Sequence, residues 1–308
     1  MKTHGSATLR HPIAVGSVHT PARGGRGMLL AGSGVGLFSL SFAATEWSLR
    51  GFGLWSTVGL RGAIAALIAG LCLALRRVRV PERRHWAGLL TVGLGCVVGF
   101  PALTTLALQT ATTAHSAVVI GLMPLATSCY SAVRTRGRQP RAFWLAAVAG
   151  AATVVTFTLL EHGGAPSGAD LYLFAALLLC SAGYAEGGRL ARELPGWQVI
   201  GWALVAVLPV TATLAWTALG HEPVRLGATA LSGVLFLGAS QFVSYIPWYR
   251  GMALIGVQRA AQIQLAQPLL NLFWAAVLLH ETIPAAAPVA ALLVLACIAA
   301  TQRAAHRY

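Results

Sequence analysis

The sequence predicts an all-α integral membrane protein with ten transmembrane helices, arranged as two inverted five-helix repeats. Three observations lead to this prediction. The 308 residues are 56% hydrophobic and only 10% charged, with a mean hydropathy of +0.70, which is far from the composition of a soluble domain. Apolar runs long enough to cross a roughly 30 Å hydrocarbon core recur along the chain. Basic residues fall in alternate loops between these runs.

Ten apolar runs account for most of the chain, and each predicts one membrane-spanning helix. They cover residues 28–45, 55–75, 86–107, 114–133, 142–160, 170–188, 197–219, 229–249, 257–279 and 285–301. Residues 1–27 are rich in Gly, Pro, Ser, Thr and basic residues, so we expect a disordered cytoplasmic tail. A signal peptide with "LLAGSGVGLFSLSFAA" as its apolar core is the alternative. The long lead-in and the nine later runs favour a transmembrane helix.

The net charge of +14 could indicate a nucleic-acid partner, but the positions of the charges argue against one. Eighteen of the 22 Lys and Arg residues lie in the two termini or in the loops after runs 2, 4, 6 and 8. Only Arg50 and Arg225 lie in the opposite loops. The positive-inside rule therefore places both termini in the cytoplasm. Two termini on the same side of the membrane require an even number of membrane-spanning helices.

A weak internal repeat divides the chain into residues 28–160 and 170–301. A shift of 144 residues superimposes Pro124 on Pro268, Ala117 on Ala261 and Pro140 on Pro284. Because each half holds five helices, the second half enters the membrane with the opposite orientation. The equivalent loops "RTRGRQPR" and "HETIPAA" then lie on opposite faces, and only the first is basic, as the charge rule requires.

The segment "FVSYIPWYRGMALIGVQRAAQIQLAQPLLNLFWAAVLLHE", residues 242–281, resembles EamA-type members of the drug/metabolite transporter superfamily. The matching features are Tyr245, Trp248–Tyr249, Ala253–Leu254, Gly256, Ala260–Ala261, Pro268 and Glu281, with Arg61, Ser116–Ala117 and Pro124 in the first half. The position equivalent to Glu281 in the first half is Gly137, where the family often has Glu. The resemblance implies secondary transport, usually export of small metabolites by alternating access, in the bacterial inner membrane.

Polar residues inside the predicted helices are candidates for a substrate cavity. Gln264, Gln267 and Asn271 share one face of helix 9, and Pro268 should bend that helix near mid-membrane. These three amides, called the amide stripe, either line a cavity or only form hydrogen bonds with neighbouring helices. Helix 8 adds a cluster of hydroxyl, amide and aromatic groups that could bracket a small organic ligand. Its members are Ser240, Gln241, Ser244, Tyr245, Trp248 and Tyr249, of which the last two could equally be interfacial anchors.

Four further residues are candidates for gating or coupling. Arg61 needs a partner, and Glu46 is nearest by depth, which predicts an outer ion pair or a site for an anionic substrate group. Arg259 snorkels to the cytoplasmic interface or pairs with Glu186. His115 exchanges protons with a driving gradient or is an exposed residue at a helix end.

Glu281 should cap the first turn of helix 10. Helices 5 and 10 hold few polar groups and should be peripheral, packing or dimerising through small residues such as Ala146 and Gly150, which leaves a homodimer open.

Three common catalytic or metal-binding motifs are absent from the sequence. It has no G-x-x-x-x-G-K-[ST], no H-E-x-x-H and no Cys-x-x-Cys, and its five cysteines fall in different runs. We therefore expect no cofactor, no metal and no enzymatic activity. The predicted function is export of small polar organic metabolites such as amino acids, with the lipid bilayer and an ion gradient as partners. A non-transporting structural or signalling protein, or an intramembrane enzyme, is the alternative.

Overall fold

The computed structural model describes residues 21–135, 140–161, 167–255 and 263–305, which form helices joined by short loops and contain no β-strand. The helices are α1 (Pro21–Ser39), α2 (Ser41–Leu49), α3 (Leu54–Leu75), α4 (Arg83–Val92), α5 (Phe100–Ala107), α6 (Thr113–Ile120), α7 (Met123–Thr135), α8 (Arg141–Glu161), α9 (Gly168–Leu190), α10 (Gly196–His221), α11 (Ala228–Val243), α12 (Tyr245–Ile255), α13 (Gln267–Leu279) and α14 (Ala286–Ala305). A π-helical segment, Gly93–Gly99, joins α4 to α5. The prediction of an all-α protein is confirmed.

Seven helical spans among the described residues are long and apolar enough to cross a membrane. They are Gly25–Leu49, Leu54–Leu75, Arg83–Ala107, Arg141–Leu160, Gly168–Leu190, Gly196–His221 and Ala228–Gly251. Three further apolar helices are shorter: Thr113–Thr127, Gln267–Leu279 and Ala286–Ala300. Each of the ten predicted runs overlaps a helix, although residues 256–262 lie outside the described part of the chain.

The amino-terminal helix begins earlier than the sequence predicts. α1 starts at Pro21, so the last seven residues of the predicted tail are helical, and residues 1–20 lie outside the described residues. Proline is well suited to a first helical turn because its missing N–H would have no partner there. Gly27 then lies directly against Ile255 and Leu254 of α12, so this part of α1 is held by packing.

The helix ends gather into two faces of the bundle. At one end Arg76, after α3, lies over the ring of Trp197 at the start of α10, 5.7 Å from its centroid, and Glu193, after α9, accepts from His85 of α4. We call this end the basic face, because it also carries Arg77, Arg79, Arg83, Arg84, Arg189 and Arg192. At the other end, called the opposite face, the backbone N–H of Arg225 donates to the carbonyl of Gly51 at 2.7 Å.

In the part of the chain that the structure describes, five helical breaks occur near the middle of the bundle, and prolines account for four of them. Proline cannot donate to the carbonyl four residues earlier. In three cases that carbonyl belongs to the last helical residue before the break: Ile120 before Pro124, Val243 before Pro247, and Gln264 before Pro268. Pro101, just after the π-helical segment, likewise lacks the N–H that would continue the backbone hydrogen bonds of that segment. The fifth break, at Leu40 between α1 and α2, has no proline.

Small residues bring the central helices close together. A Cβ added to Gly59 of α3 would lie 2.7 Å from the Cα of Ala215 in α10, so only glycine permits this approach. At the periphery, Gly150 of α8 packs against Cys297 of α14. Both of these helices also expose large apolar side chains, as expected for helices 5 and 10 facing lipid: Trp144, Leu145, Val148, Val289, Leu292 and Leu293.

Candidate functional site

A cavity of about 80 Å³ lies where the broken helices meet. It can hold several water molecules, because one water needs roughly 10–15 Å³ by the same measure. The polar lining consists of Ser41, Thr45, Arg61, Cys96, Thr104, Cys180, Tyr184, Ser240, Gln241, Tyr245, Gln264, Gln267 and Asn271. The remaining lining consists of Phe38, Phe42, Phe100, Ile120, Gly121, Met123, Pro124, Leu265, Pro268 and Leu295.

Seven of the eight residues predicted to line a cavity lie around this one. They are Arg61, Gln241, Tyr245, Gln264, Gln267, Pro268 and Asn271. Trp248 is the exception: its side chain is buried and packs edge-on against Phe38, with the ring centroids 6.4 Å apart. The cause is the close approach of α12 to α1 at Gly34, which turns the indole towards that helix. Burial also argues against an interfacial anchor at this position.

A chain of hydrogen bonds fixes Arg61 in the cavity wall. In the π-helical segment the N–H of Phe100 bonds to the carbonyl of Gly95, five residues earlier. The next carbonyl, that of Cys96, would need the N–H that Pro101 lacks. The amide nitrogen of Gln241 donates to this carbonyl at 3.1 Å, and the amide oxygen then faces Arg61, whose Nε donates to it at 2.7 Å.

Of the two alternatives predicted for Arg61, the ion pair with Glu46 is wrong, whereas the site for an anionic substrate group stays a prediction. Both residues are described, and no salt bridge joins them. Arg61 is 7% exposed, and its guanidinium bonds to a neutral amide. Glu46 instead lies near Glu281 and Arg50, towards the opposite face. Equal depth along two helices made this pairing plausible, but depth does not determine which way each side chain points.

Two thiols and a phenol in the lining were not singled out by the sequence. The Sγ atoms of Cys96 and Cys180 lie 3.7 Å apart, both buried and free, and Tyr184 lies one turn beyond Cys180. The two cysteines are 84 residues apart in the chain, so no spacing pattern links them. Among the residues that the structure describes, no group of three or more His, Cys, Asp or Glu side chains could hold a metal ion.

Asn271 supports the break in the first membrane span. With its amide oriented to satisfy both polar atoms, the nitrogen of Asn271 donates to the carbonyl of Ser39 at 2.9 Å. The indole N–H of Trp274 donates to the hydroxyl of the same serine at 2.8 Å. Gln264 and Gln267 differ, because their side-chain amides bond to no described residue. The predicted amide stripe therefore contains one structural member and two whose amides are unused.

His115 is not an exposed residue at a helix end. Its side chain is 2% exposed, and Nε2 lies 2.7 Å from Oδ1 of Asp170. The ring stacks on Phe157 of α8, with centroids 5.6 Å apart. Asp170 was missed because "SGAD" is typical of a capping box, and Asp170 does pair with Ser167 in that way. The sequence alone does not indicate its second role as the partner of the histidine.

Two carboxylates join helices at the opposite face. The carboxylate of Glu281, at the end of α13, accepts from the backbone N–H groups of Thr113 and Ala114 at 3.1 Å each. It therefore caps α6, and the prediction that it caps helix 10 is wrong. Glu222, after α10, caps α3 in the same manner, accepting from Trp55 and Ser56 at 3.0 and 2.7 Å. The sequence identified neither of these contacts.

The remaining gating candidates lie at the basic face or outside the described residues. Glu186 pairs with Arg189, three residues later in α9, at 2.8 Å. Arg259 lies outside the described residues. So do Gly137, the repeat equivalent of Glu281, and Ala261, the repeat equivalent of Ala117. The predicted pair between Glu186 and Arg259 is therefore untested.

Comparisons with known proteins agree with this architecture. The profile of the EamA-like transporter family matches residues 25–159 and again residues 167–301. An uncharacterized transporter of Bacillus subtilis (strain 168), YdeK, is 38% identical over 271 residues, covering 88% of this chain and 94% of that protein. A protein crystal structure, 20% identical in sequence, superposes with a TM-score of 0.61 over 91% of this chain and 98% of that one. The chain therefore belongs to the EamA-like transporter family and is a multi-pass membrane transporter.

Proposed function

We propose that the protein exports small polar organic metabolites, such as amino acids, across the bacterial inner membrane by alternating access. In this proposal ten helices cross the membrane as two inverted repeats of five, residues 28–160 and 170–301, and both termini are cytoplasmic. The distribution of arginines between the basic face and the opposite face supports this orientation. An ion gradient supplies the driving force, and the metabolite binds midway across the bundle.

The observation that carries this proposal is the polar cavity at the helix breaks. Non-helical backbone at membrane depth is tolerated only where protein buries it or where it lines a cavity. Here the breaks before Pro124, Pro247 and Pro268 surround the cavity, and so does the break at Leu40. Discontinuous helices around a midplane site are typical of secondary transporters. A purely structural membrane protein has no need for an aqueous cavity at this depth.

Binding in the cavity is assigned to Arg61, Gln241, Tyr245, Gln264 and Gln267. The two glutamines are the strongest candidates for direct contact, because their amides are not used within the described protein. Asn271 and Pro268 shape the cavity by holding and terminating helices. Trp248 is left out, because it is not among the lining residues and packs behind one of them, Phe38 of α1.

Coupling is assigned to the pair formed by His115 and Asp170. A buried histidine hydrogen-bonded to a carboxylate can take up and release a proton when neighbouring helices separate. The pair joins α6 to α9. Its histidine directly follows Thr113 and Ala114, whose backbone N–H groups donate to Glu281. Glu46 lies nearby, at the opposite face. Glu186 and Arg259 are the corresponding candidates for a gate at the basic face.

Counterflow in proteoliposomes tests the proposal. The purified chain is reconstituted, the vesicles are loaded with each member of a metabolite library, and uptake of the same labelled metabolite is followed. We expect counterflow for at least one small polar metabolite, and its loss in Gln264→Ala and Arg61→Ala. Arg225→Ala, at the opposite face, is the matched control. Uptake that is absent for every metabolite, or indifferent to both cavity substitutions, would contradict the proposal.

A further inference from the structure

The charge of the cavity indicates which class of solute it accepts. Among the described residues that line the cavity, Arg61 carries the one charged side chain. Its guanidinium is almost fully buried, and its Nε is held by Gln241. A guanidinium carries five N–H donors in a planar fork. Four of them, on the two Nη atoms, bond to none of the described residues, so the fork is open for a ligand in the cavity.

No carboxylate with a described side chain is placed to neutralise Arg61. The chain has eight acidic residues. Seven have described side chains with other neighbours: Glu46 near Arg50, Glu82 with Arg84, Asp170 with His115, Glu186 with Arg189, Glu193 with His85, Glu222 on α3 and Glu281 on α6. The eighth, Glu161, is the last residue of α8, a helix that contributes no residue to the described cavity lining. The weakly acidic groups that share the cavity lining with Arg61 include a phenol and a thiol, those of Tyr245 and Cys180.

A buried cation without a counter-ion is costly in a membrane protein, and an anionic ligand removes that cost. Carboxylates match the planar fork of arginine through two parallel hydrogen bonds. Phosphate esters match it too, but their charge of about −1.5 to −2 would leave the occupied cavity negative. One carboxylate balances one guanidinium. Phe38, Phe42 and Phe100 in the lining favour a solute with an apolar body.

We propose that the preferred solute is an organic monocarboxylate with an apolar body and no ammonium group, bound through the two Nη atoms of Arg61. This inference rests on the proposed transport function. The described lining contains no carboxylate to pair with an ammonium group, so the cavity should take an organic acid in preference to the amino acid of the same carbon skeleton. Amines and neutral amides lack the group that the fork binds.

Matched solutes in proteoliposome counterflow test this inference. The probes are isocaproate, isocaproamide, leucine and isoamylamine, together with phenylacetate, phenylacetamide, phenylglycine, benzylamine and a sugar phosphate. We expect the acids to be favoured over their amides about 10- to 100-fold, the factor that charge-assisted hydrogen bonds supply. Arg61→Lys keeps the charge but loses the fork, and should lower acid counterflow about tenfold. Arg50→Lys, the same substitution at the opposite face, should leave it unchanged.

The outcomes separate the preference for monocarboxylates from the proposed transport function. Counterflow of the amides, amines, amino acids or sugar phosphate at least equal to that of the acids would overturn the monocarboxylate assignment and leave transport itself standing. Counterflow of no solute, in these pairs or in the metabolite library, would overturn both. If Arg61→Lys does not purify as a folded protein, the selectivity of the wild-type chain between each acid and its amide decides the matter alone.

Discussion

Arg61 and Gln241 meet in the middle of the bundle, although 180 residues separate them in the chain, and the Nε of the arginine donates to the amide oxygen at 2.7 Å. The partner of this buried cation is therefore neutral. A neutral partner positions the guanidinium without cancelling its charge, which leaves that charge available to a solute. A carboxylate at position 241 would compete with the solute instead.

Gln241→Glu is therefore expected to abolish selectivity for anionic solutes. The new carboxylate lies next to Arg61 and forms an internal ion pair, so counterflow of the preferred acid should fall at least about tenfold. Gln109→Glu, the same substitution at an exposed position, is the matched control and should have no effect. Undiminished acid counterflow in a folded Gln241→Glu protein would show that the solute does not bind at Arg61.

Removing the Glu281 cap should destabilise the protein. Glu281→Ala leaves the N–H groups of Thr113 and Ala114 without their acceptor, and loss of such a cap costs about 1 to 2 kcal/mol. Thermal unfolding in detergent measures the effect. Glu82→Ala removes an exposed pair with Arg84 and should cost less than about 1 kcal/mol. Equal shifts in melting temperature for the two variants would contradict the capping role.

Asn271 and Gln264 should separate stability from transport. Asn271→Ala removes the donor to the Ser39 carbonyl at the α1–α2 break and should cost about 1 kcal/mol of unfolding free energy. Gln264→Ala removes an amide that bonds to no described residue, so it should lower counterflow while leaving the melting temperature nearly unchanged. The assignment fails if Gln264→Ala is the more destabilising of the two.

The basic face should carry a small pH dependence of stability. The hydrogen bond with His85 is the main cause that holds the pKa of the exposed Glu193 below its ordinary value of 4.5, with help from Arg84 and Arg189. Because folding lowers this pKa, the stabilisation is present above pH 4.5 and is lost as pH falls through the folded-state pKa.

Glu193→Gln removes that contribution. The melting temperature of the wild type should therefore fall more than that of Glu193→Gln between about pH 6 and about pH 3. Glu82→Gln controls for the loss of one negative charge on the same face. Parallel pH profiles for wild type and Glu193→Gln would contradict the role assigned to the pair with His85.

The helical fold and seven of the residues around the cavity could be predicted, because both depend on local pattern. Apolar run length sets where helices form, and polar residues at one depth, such as Gln264 and Gln267, mark the face that avoids lipid. Helix breaks are also a local property, since Pro124, Pro247 and Pro268 each terminate the helix four residues earlier. The break at Leu40 was not predictable, because its stabilising partner is Asn271 in a distant helix.

Pairings between distant residues could not be predicted. Glu46 and Gln241 are both plausible partners of Arg61 by depth, and only the rotation of each helix decides between them. Glu281 was expected to cap the helix that follows it, whereas the bundle brings it against α6. Asp170 belongs to a capping box with Ser167, which by itself accounts for an aspartate at this position. Nothing in the sequence indicates that Asp170 also bonds to His115.

The central claim, that solute passes through the cavity at the helix breaks, is tested most directly by filling that cavity. Ser41→Trp adds an indole to the lining, whereas Ser232→Trp adds the same group at an exposed position of α11. Counterflow of the best wild-type solute should be lost in Ser41→Trp and kept in Ser232→Trp, with both proteins folded. Full counterflow through Ser41→Trp would mean that the solute takes another path.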